Sequence, residues 1–115
     1  MNKTSYNILR VGMAITFLWI GLLIIKDPVG WSGYVAPWAG NLIPFSMKAV
    51  MLFVGFFDIL VGLLFLLDIF VLHAALAAVV HLFVVLAVAG INAITVRDIG
   101  LFSACLAIFF ENYRK

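Results

Sequence analysis

Four long apolar stretches make up most of the chain, and short polar or aromatic segments separate them. The stretches cover residues 8–25, 48–67, 69–91 and 96–110. A helix needs about 20 mostly apolar residues to cross a bilayer, because unpaired backbone groups are too costly in hydrocarbon. The pattern therefore predicts an all-α integral membrane protein, a four-helix bundle that forms a single domain over residues 1–115.

The links beside the third and fourth stretches predict where their helices begin. Little more than Asp68 separates the second stretch from the third, so we expect an antiparallel hairpin with Asp68 as the N-cap of its second helix. The sequence Thr95-Val96-Arg97-Asp98 fits the Thr-x-x-Asp form of a capping box, which predicts the start of the fourth helix.

The link over residues 26–46 is long and rich in proline, glycine and aromatic residues. Tryptophan and tyrosine favour the headgroup layer of a membrane, where one end of the ring is hydrated. We therefore predict an irregular segment at one membrane interface, with residues 31–38 packed over one mouth of the bundle. Its tryptophans and tyrosine are Trp31, Tyr34 and Trp38.

Composition places the protein in lipid rather than in water. Hydrophobic residues make up 67% of the chain and charged residues 10%, whereas soluble domains are about half apolar and a quarter charged. A net charge of +2 without a basic run gives no indication of a nucleic-acid partner, so membrane lipid is the expected surrounding. Cys105 is the single cysteine, and its apolar neighbours predict a small buried hydrophobe.

An even number of spans places both termini on the same side of the membrane. That side carries four cationic residues and the opposite side three, so the positive-inside rule favours cytoplasmic termini. The two sets are Lys3, Arg10, Arg114 and Lys115 on the terminal side, and Lys26, Lys48 and Arg97 on the other.

Two polar residues lie near the middle of adjacent apolar stretches, Asp58 in the second and His81 in the third. A charged aspartate at the bilayer centre costs about 2.5–3.5 kcal/mol on insertion scales, so it is expected to face the bundle interior and to have a partner or a use. Gly55 and Gly62 share the helical face of Asp58 and would let another helix approach. We expect Asp58 and His81 to meet, either as a functional pair or as a polar pair that fixes helix register.

Other polar residues extend this candidate set. Arg10 either reaches the headgroups or pairs with Asp68 at similar depth, and pairing with Asp58 would need a long reach. A candidate interfacial site for a headgroup or ligand lies at the opposite end and consists of Trp31, Trp38, Arg97 and Asp98. Asp98 also has a structural explanation as a helix cap.

Neither a metal centre nor a catalytic motif is apparent in the sequence. His73 lies eight residues before His81, about 12 Å along a helix, so the two cannot share a metal or haem. Phosphate loops, nucleotide fingerprints, zinc signatures, serine elbows and paired cysteines are all missing. We therefore expect no intrinsic cofactor and no independent catalytic activity.

Several short motifs resemble the DoxX family of small membrane proteins, which is related to the DoxD subunit of thiosulfate:quinone oxidoreductase. They are Leu9-Arg10-Val11-Gly12, Asp27-Pro28, Gly55-Phe56-Phe57-Asp58 with Gly62, and Ile94-Thr95-Val96-Arg97-Asp98-Ile99-Gly100. Members of that family often carry glutamate where this chain has Asp58. The resemblance covers nearly the whole chain and implies a prokaryotic cytoplasmic membrane and an association with quinone-linked redox systems.

Two classes of function remain open. The first is an accessory or quinone-interacting component of a membrane redox system, for which electrons would come from other subunits, since the chain has no redox centre of its own. The second is a scaffold or assembly subunit, which could also self-associate and whose polar residues would only hold helices together. A carrier of a small or lipidic molecule is a third hypothesis, which the narrow bundle favours less.

Overall fold

The computed structural model describes residues 2–33, 35–42, 44–90 and 95–113, and these residues form helices without strands. The all-α prediction is therefore confirmed for this part of the chain. Residue 91 of the predicted third span, Tyr34 of the aromatic segment and Ile94 of the last motif lie outside the described residues. The helices are α1 (Lys3–Lys26), α2 (Pro28–Ser32), α3 (Pro37–Leu42), α4 (Met47–Leu67), α5 (Val71–Ala89) and α6 (Val96–Tyr113).

Three of these helices, α1, α4 and α5, are long and apolar enough to cross a membrane. They also expose large apolar side chains over much of their surface, including Trp19, Phe53 and Phe83. A surface of this kind is costly in water and is suited to lipid. The 18-residue helix α6 carries charged residues in its first turn and near its end, so length and composition alone do not make it a fourth span.

The long helices pack as two pairs. Helix α1 lies antiparallel against α4, and α5 lies against α6, whereas α4 and α5 contact each other sparingly although one short turn joins them. The molecule measures 44 × 24 × 23 Å, and a bilayer with its headgroups is about 40–45 Å thick. The predicted hairpin is thus present as a connection, but the main neighbour of α4 is α1.

Small residues bring α1 and α4 together. A Cβ atom added to Gly21 would lie 2.7 Å from the Gly55 carbonyl oxygen, and one added to Gly62 would lie 2.9 Å from the Leu18 amide nitrogen. Glycine at these positions lets two backbones approach closely, which is how van der Waals packing holds helices together in lipid. The glycine face predicted on α4 therefore packs against α1.

The apolar core fills the half of the molecule nearer the chain termini. Phe17 and Phe65 meet edge to face with ring centroids 6.0 Å apart, and Cys105 and Ile108 are fully buried beside them. The prediction for Cys105 is confirmed. Towards the other end, the space between the helix pairs is less completely filled, and the cavity described below lies there.

The turn between α4 and α5 differs from the sequence prediction. Asp68 adopts the left-handed conformation with φ 58° and ends α4, and its amide and that of Ile69 donate to the carbonyls of Phe65 and Leu64 in a Schellman motif. The prediction that Asp68 caps α5 is wrong, because two residues separate it from that helix. Phe70 occupies the N-cap position without a side-chain capping bond.

The link predicted to be irregular contains the two short helices α2 and α3. Pro28 and Pro37 are their first residues, where proline fits a helix best, and the Asp27 carboxylate accepts a hydrogen bond from the Gly30 amide. The Ala36 amide donates to the Val88 carbonyl at 3.1 Å, which ties this link to the end of α5.

Candidate functional site

Arg10 caps the C-terminal end of α4. Its side chain is 11% exposed and its Nε lies 3.8 Å from Asp68 Oδ1, while its Nη1 donates to the carbonyls of Phe65 and Leu66. A cation at a helix C-terminus offsets the unpaired carbonyls there. Of the two roles expected for Arg10, the structure shows the contact with Asp68, and it places Arg10 outside the cavity that Asp58 lines.

We expect the substitution Arg10→Met to lower the free energy of unfolding by about 1–3 kcal/mol, because it removes the charge-assisted hydrogen bonds to the carbonyls of Phe65 and Leu66. Arg10→Lys keeps the charge but loses the forked donor, so we expect a smaller decrease. Unfolding in detergent micelles measures both, with Lys3→Met, which removes an exposed cation from the same helix, as the control. Equal stabilities for Arg10→Met and Lys3→Met would exclude the capping role.

Asp58 and His81 meet between α4 and α5. His81 Nε2 lies 3.5 Å from Asp58 Oδ1, and the two side chains are 18% and 5% exposed. The Phe57 ring packs on the imidazole with centroids 4.8 Å apart. The approach predicted from mid-span positions and the short turn is therefore present, at the long limit of a hydrogen bond.

One oxygen of this pair is available to a further group. Asp58 Oδ1 is buried and accepts no hydrogen bond from the residues that the structure describes. A buried carboxylate oxygen without a donor is costly, and such groups are rare outside functional sites. Asp58 also lines a cavity, so a molecule bound there with a hydrogen-bond donor is a candidate partner for this carboxylate.

A cavity of about 240 Å³ extends from the Asp58–His81 pair towards the α2 end of the molecule. Its polar or amphipathic lining also includes Trp31, Thr95 and Asp98. Most other walls are apolar side chains from α1, α4, α5 and α6, such as those of Phe17, Ile24, Met51, Leu82 and Val85. The intramembrane and interfacial sites that the sequence suggested separately thus share one cavity, with Arg10 and Trp38 outside it.

The start of α6 arranges the second polar end of this cavity. The Asp98 amide donates to the Thr95 carbonyl at 2.9 Å, and the Thr95 hydroxyl donates to the Gly90 carbonyl. Asp98 is buried, whereas Arg97 beside it is exposed and lines the cavity from its rim. The predicted start of α6 is confirmed, and Asp58 and Asp98 line the same cavity.

The two tryptophans of the interfacial prediction separate in the structure. Trp31 lines the cavity, but Trp38 is 57% exposed because the buried face of α3 is that of Ala39. The prediction that residues 31–38 together cover the mouth is therefore wrong for Trp38. His73 lies outside the cavity, with its ring 6.1 Å from that of Phe70.

The cavity offers hydrogen-bonding groups at two ends of an apolar slot. The His81 imidazole and the Arg97 guanidinium are possible donors, and the carboxylates of Asp58 and Asp98 are acceptors. Such a slot fits a flat molecule with polar substituents on opposite edges. Within the described ranges, no group of three or more histidine, cysteine, aspartate or glutamate residues could hold a metal ion.

Comparison of the chain with protein-family models, with curated proteins and with solved structures gives no match. What the site can bind therefore follows from the chemistry and spacing of its own residues.

Proposed function

We propose that this chain spans the membrane four times and binds a small lipophilic ring compound of the quinone class, as an accessory component of a membrane redox system. The single observation that carries the proposal is the apolar cavity beside Asp58 and His81, with further polar groups at its other end. The resemblance of the chain to the DoxX family supports the redox part of the proposal.

The charge distribution of α6 supports its role as a fourth span. Arg97 and Asp98 lie in its first turn and Glu111 in its last, so residues 99–110 between them carry no charge. Asn112 Nδ2 donates to Tyr6 Oη at 2.8 Å, which joins the end of α6 to the beginning of α1. Both chain ends then lie at one membrane surface, which we propose is cytoplasmic, and α2 and α3 lie at the other.

The cavity has a suitable size for the ring of a quinone. A cavity of about 150 Å³ is enough for a benzene molecule in a protein core, so 240 Å³ accommodates one ring with small substituents. The volume excludes a long hydrocarbon tail, which must remain outside the cavity.

The polar groups match both redox forms of such a ring. The carbonyl oxygens of a quinone accept hydrogen bonds, which His81 and Arg97 can donate, and the hydroxyls of a quinol can donate to Asp58 and Asp98. The sequence has a single cysteine and hence no internal disulfide couple. Electrons would then reach the bound ring from a partner protein, which is the reason for proposing an accessory role.

Quenching of Trp31 fluorescence tests the proposal. In a variant with Trp19→Phe and Trp38→Phe, Trp31 is the only indole and lines the cavity. We expect a benzoquinone with a short alkyl tail to quench Trp31 saturably in vesicles. His81→Phe keeps an aromatic ring but removes one hydrogen-bond donor, so we expect it to weaken this binding about tenfold, which corresponds to about 1.4 kcal/mol.

A matched reporter distinguishes binding from dissolution in the bilayer. Trp19 is 66% exposed on the outer face of α1, so a variant retaining only Trp19 reports quinone dissolved in lipid and should show linear quenching. Linear quenching at Trp31 as well would contradict the proposal. It would favour a scaffold role, in which Asp58 and His81 serve only to hold the helices.

A further inference from the structure

The Asp58–His81 pair also borders the outer surface of the molecule, because His81 lines a second depression there. A second depression lies between α4 and α5 on the surface that faces lipid, and we call it the outer groove. Its lining is Phe53, Phe57, His73, Leu76, Ala77, Val80 and His81. His81 is therefore shared by the internal cavity and the outer groove.

The outer groove is open to the bilayer and largely apolar. Phe53 on α4 is 71% exposed and Val80 on α5 is 56% exposed, and both helices are long and apolar enough to cross a membrane. The groove exists because α4 packs against α1 and α5 against α6, which leaves the α4–α5 contact sparse. The tilted rings of Phe57 and His81, with centroids 4.8 Å apart, both line this groove, and His81 also lines the cavity.

We propose that a ligand enters the cavity sideways from the bilayer between α4 and α5, and that its apolar tail then lies in the outer groove. The inference rests on the proposed function, since it assigns the place of the tail that the cavity cannot hold. The occupant is a single molecule with a polar ring inside and a hydrocarbon tail outside. His81 lies at the junction, where its imidazole can bond to the ring while Phe57 packs on the tail.

Filling the outer groove should therefore weaken the binding of a ligand that has a hydrocarbon tail and leave the binding of a tailless ligand unchanged. Ala77→Phe places a large side chain in the groove, where it occupies the space of the tail. We expect binding of a decyl-tailed benzoquinone to weaken about tenfold, as 1.4 kcal/mol implies, whereas the same ring without a tail keeps its affinity. Saturable quenching of Trp31 in the single-tryptophan variant measures both affinities.

Ala87→Phe is the matched control, because Ala87 is exposed on the same helix and lines neither the groove nor the cavity. We expect Ala87→Phe to bind both benzoquinones with the same affinity as the single-tryptophan variant that lacks this substitution. Val80→Phe fills the same groove from another position without adding an indole, and it replaces Ala77→Phe if that variant does not fold.

The outcomes separate this inference from the proposed function. Weaker binding of the decyl-tailed benzoquinone alone, with unchanged binding of the tailless ring, supports lateral access through the groove. Saturable binding of both compounds, with unchanged or equally weakened affinity in Ala77→Phe and Val80→Phe, overturns the groove while leaving the cavity site in place. Linear quenching of Trp31 by both compounds, in the single-tryptophan variant without a groove substitution, overturns the cavity site itself.

Discussion

Gly62→Leu is expected to lower the free energy of unfolding by about 3 kcal/mol, the upper part of the range for overpacking. A Cβ atom at this position would lie 2.9 Å from the Leu18 amide nitrogen and 3.0 Å from the Ala14 carbonyl oxygen. These are backbone atoms, so rotation of a side chain cannot relieve the clash and α1 must move away from α4. Reversible unfolding in mixed micelles measures the loss.

Gly12→Leu is the matched control for this prediction. No atom lies within 4 Å of a Cβ added to Gly12, so the change should be neutral or stabilise α1 by up to about 1 kcal/mol through helix propensity. A similar loss for both variants would show that glycine flexibility, and not close packing of α1 on α4, explains the effect.

The second large effect is expected at the buried polar pair. Asp58→Leu and His81→Leu should each lower the free energy of unfolding by about 3 kcal/mol, because each leaves a polar partner in an apolar surrounding. The double replacement should cost less than either single replacement, since it removes both polar groups. A double-mutant cycle measured by unfolding in micelles gives the coupling energy, which we expect to be about 1 kcal/mol or more.

A cycle between Asp58 and His73 provides the comparison. His73 is exposed, lies on the same helix as His81 and does not line the cavity. Asp58→Leu and His73→Leu should therefore be additive within about 0.5 kcal/mol. Additivity in the Asp58–His81 cycle as well would exclude an energetic contact between those two residues.

The sequence predicted the structure best at residues whose type is tolerated in only a few environments within a membrane. The apolar stretches gave the helices and the membrane class, and the depth of Asp58 and His81 in adjacent stretches gave their contact. The packing of the helices against one another could not be predicted, because Gly55 and Gly62 indicate a close-packing face but not which helix packs on it. Gly21 on α1 offers the matching signal and went unnoticed, since an isolated glycine in an apolar stretch has several uses.

The cavity could not be predicted for a similar reason. Most of its walls are ordinary apolar residues such as Met51 and Val85, whose sequence context does not distinguish a cavity wall from a packed core. That Trp31 turns inward and Trp38 outward depends on the rotation of two short helices in a link predicted to be irregular. Asp68 was misassigned because a left-handed aspartate can end a helix as readily as an aspartate can begin one.

The most direct measurement is the amount of lipophilic ring compound that copurifies with the protein from its own membrane. Organic extraction and mass spectrometry should find about one such molecule per chain in the parent, and a strongly reduced amount in Asp58→Asn. Asp68→Asn is the control, because Asp68 ends the same helix outside the cavity and asparagine tolerates its left-handed conformation. Equal amounts in the parent and both variants, or none beyond bulk lipid, would contradict binding in the cavity beside Asp58 and His81.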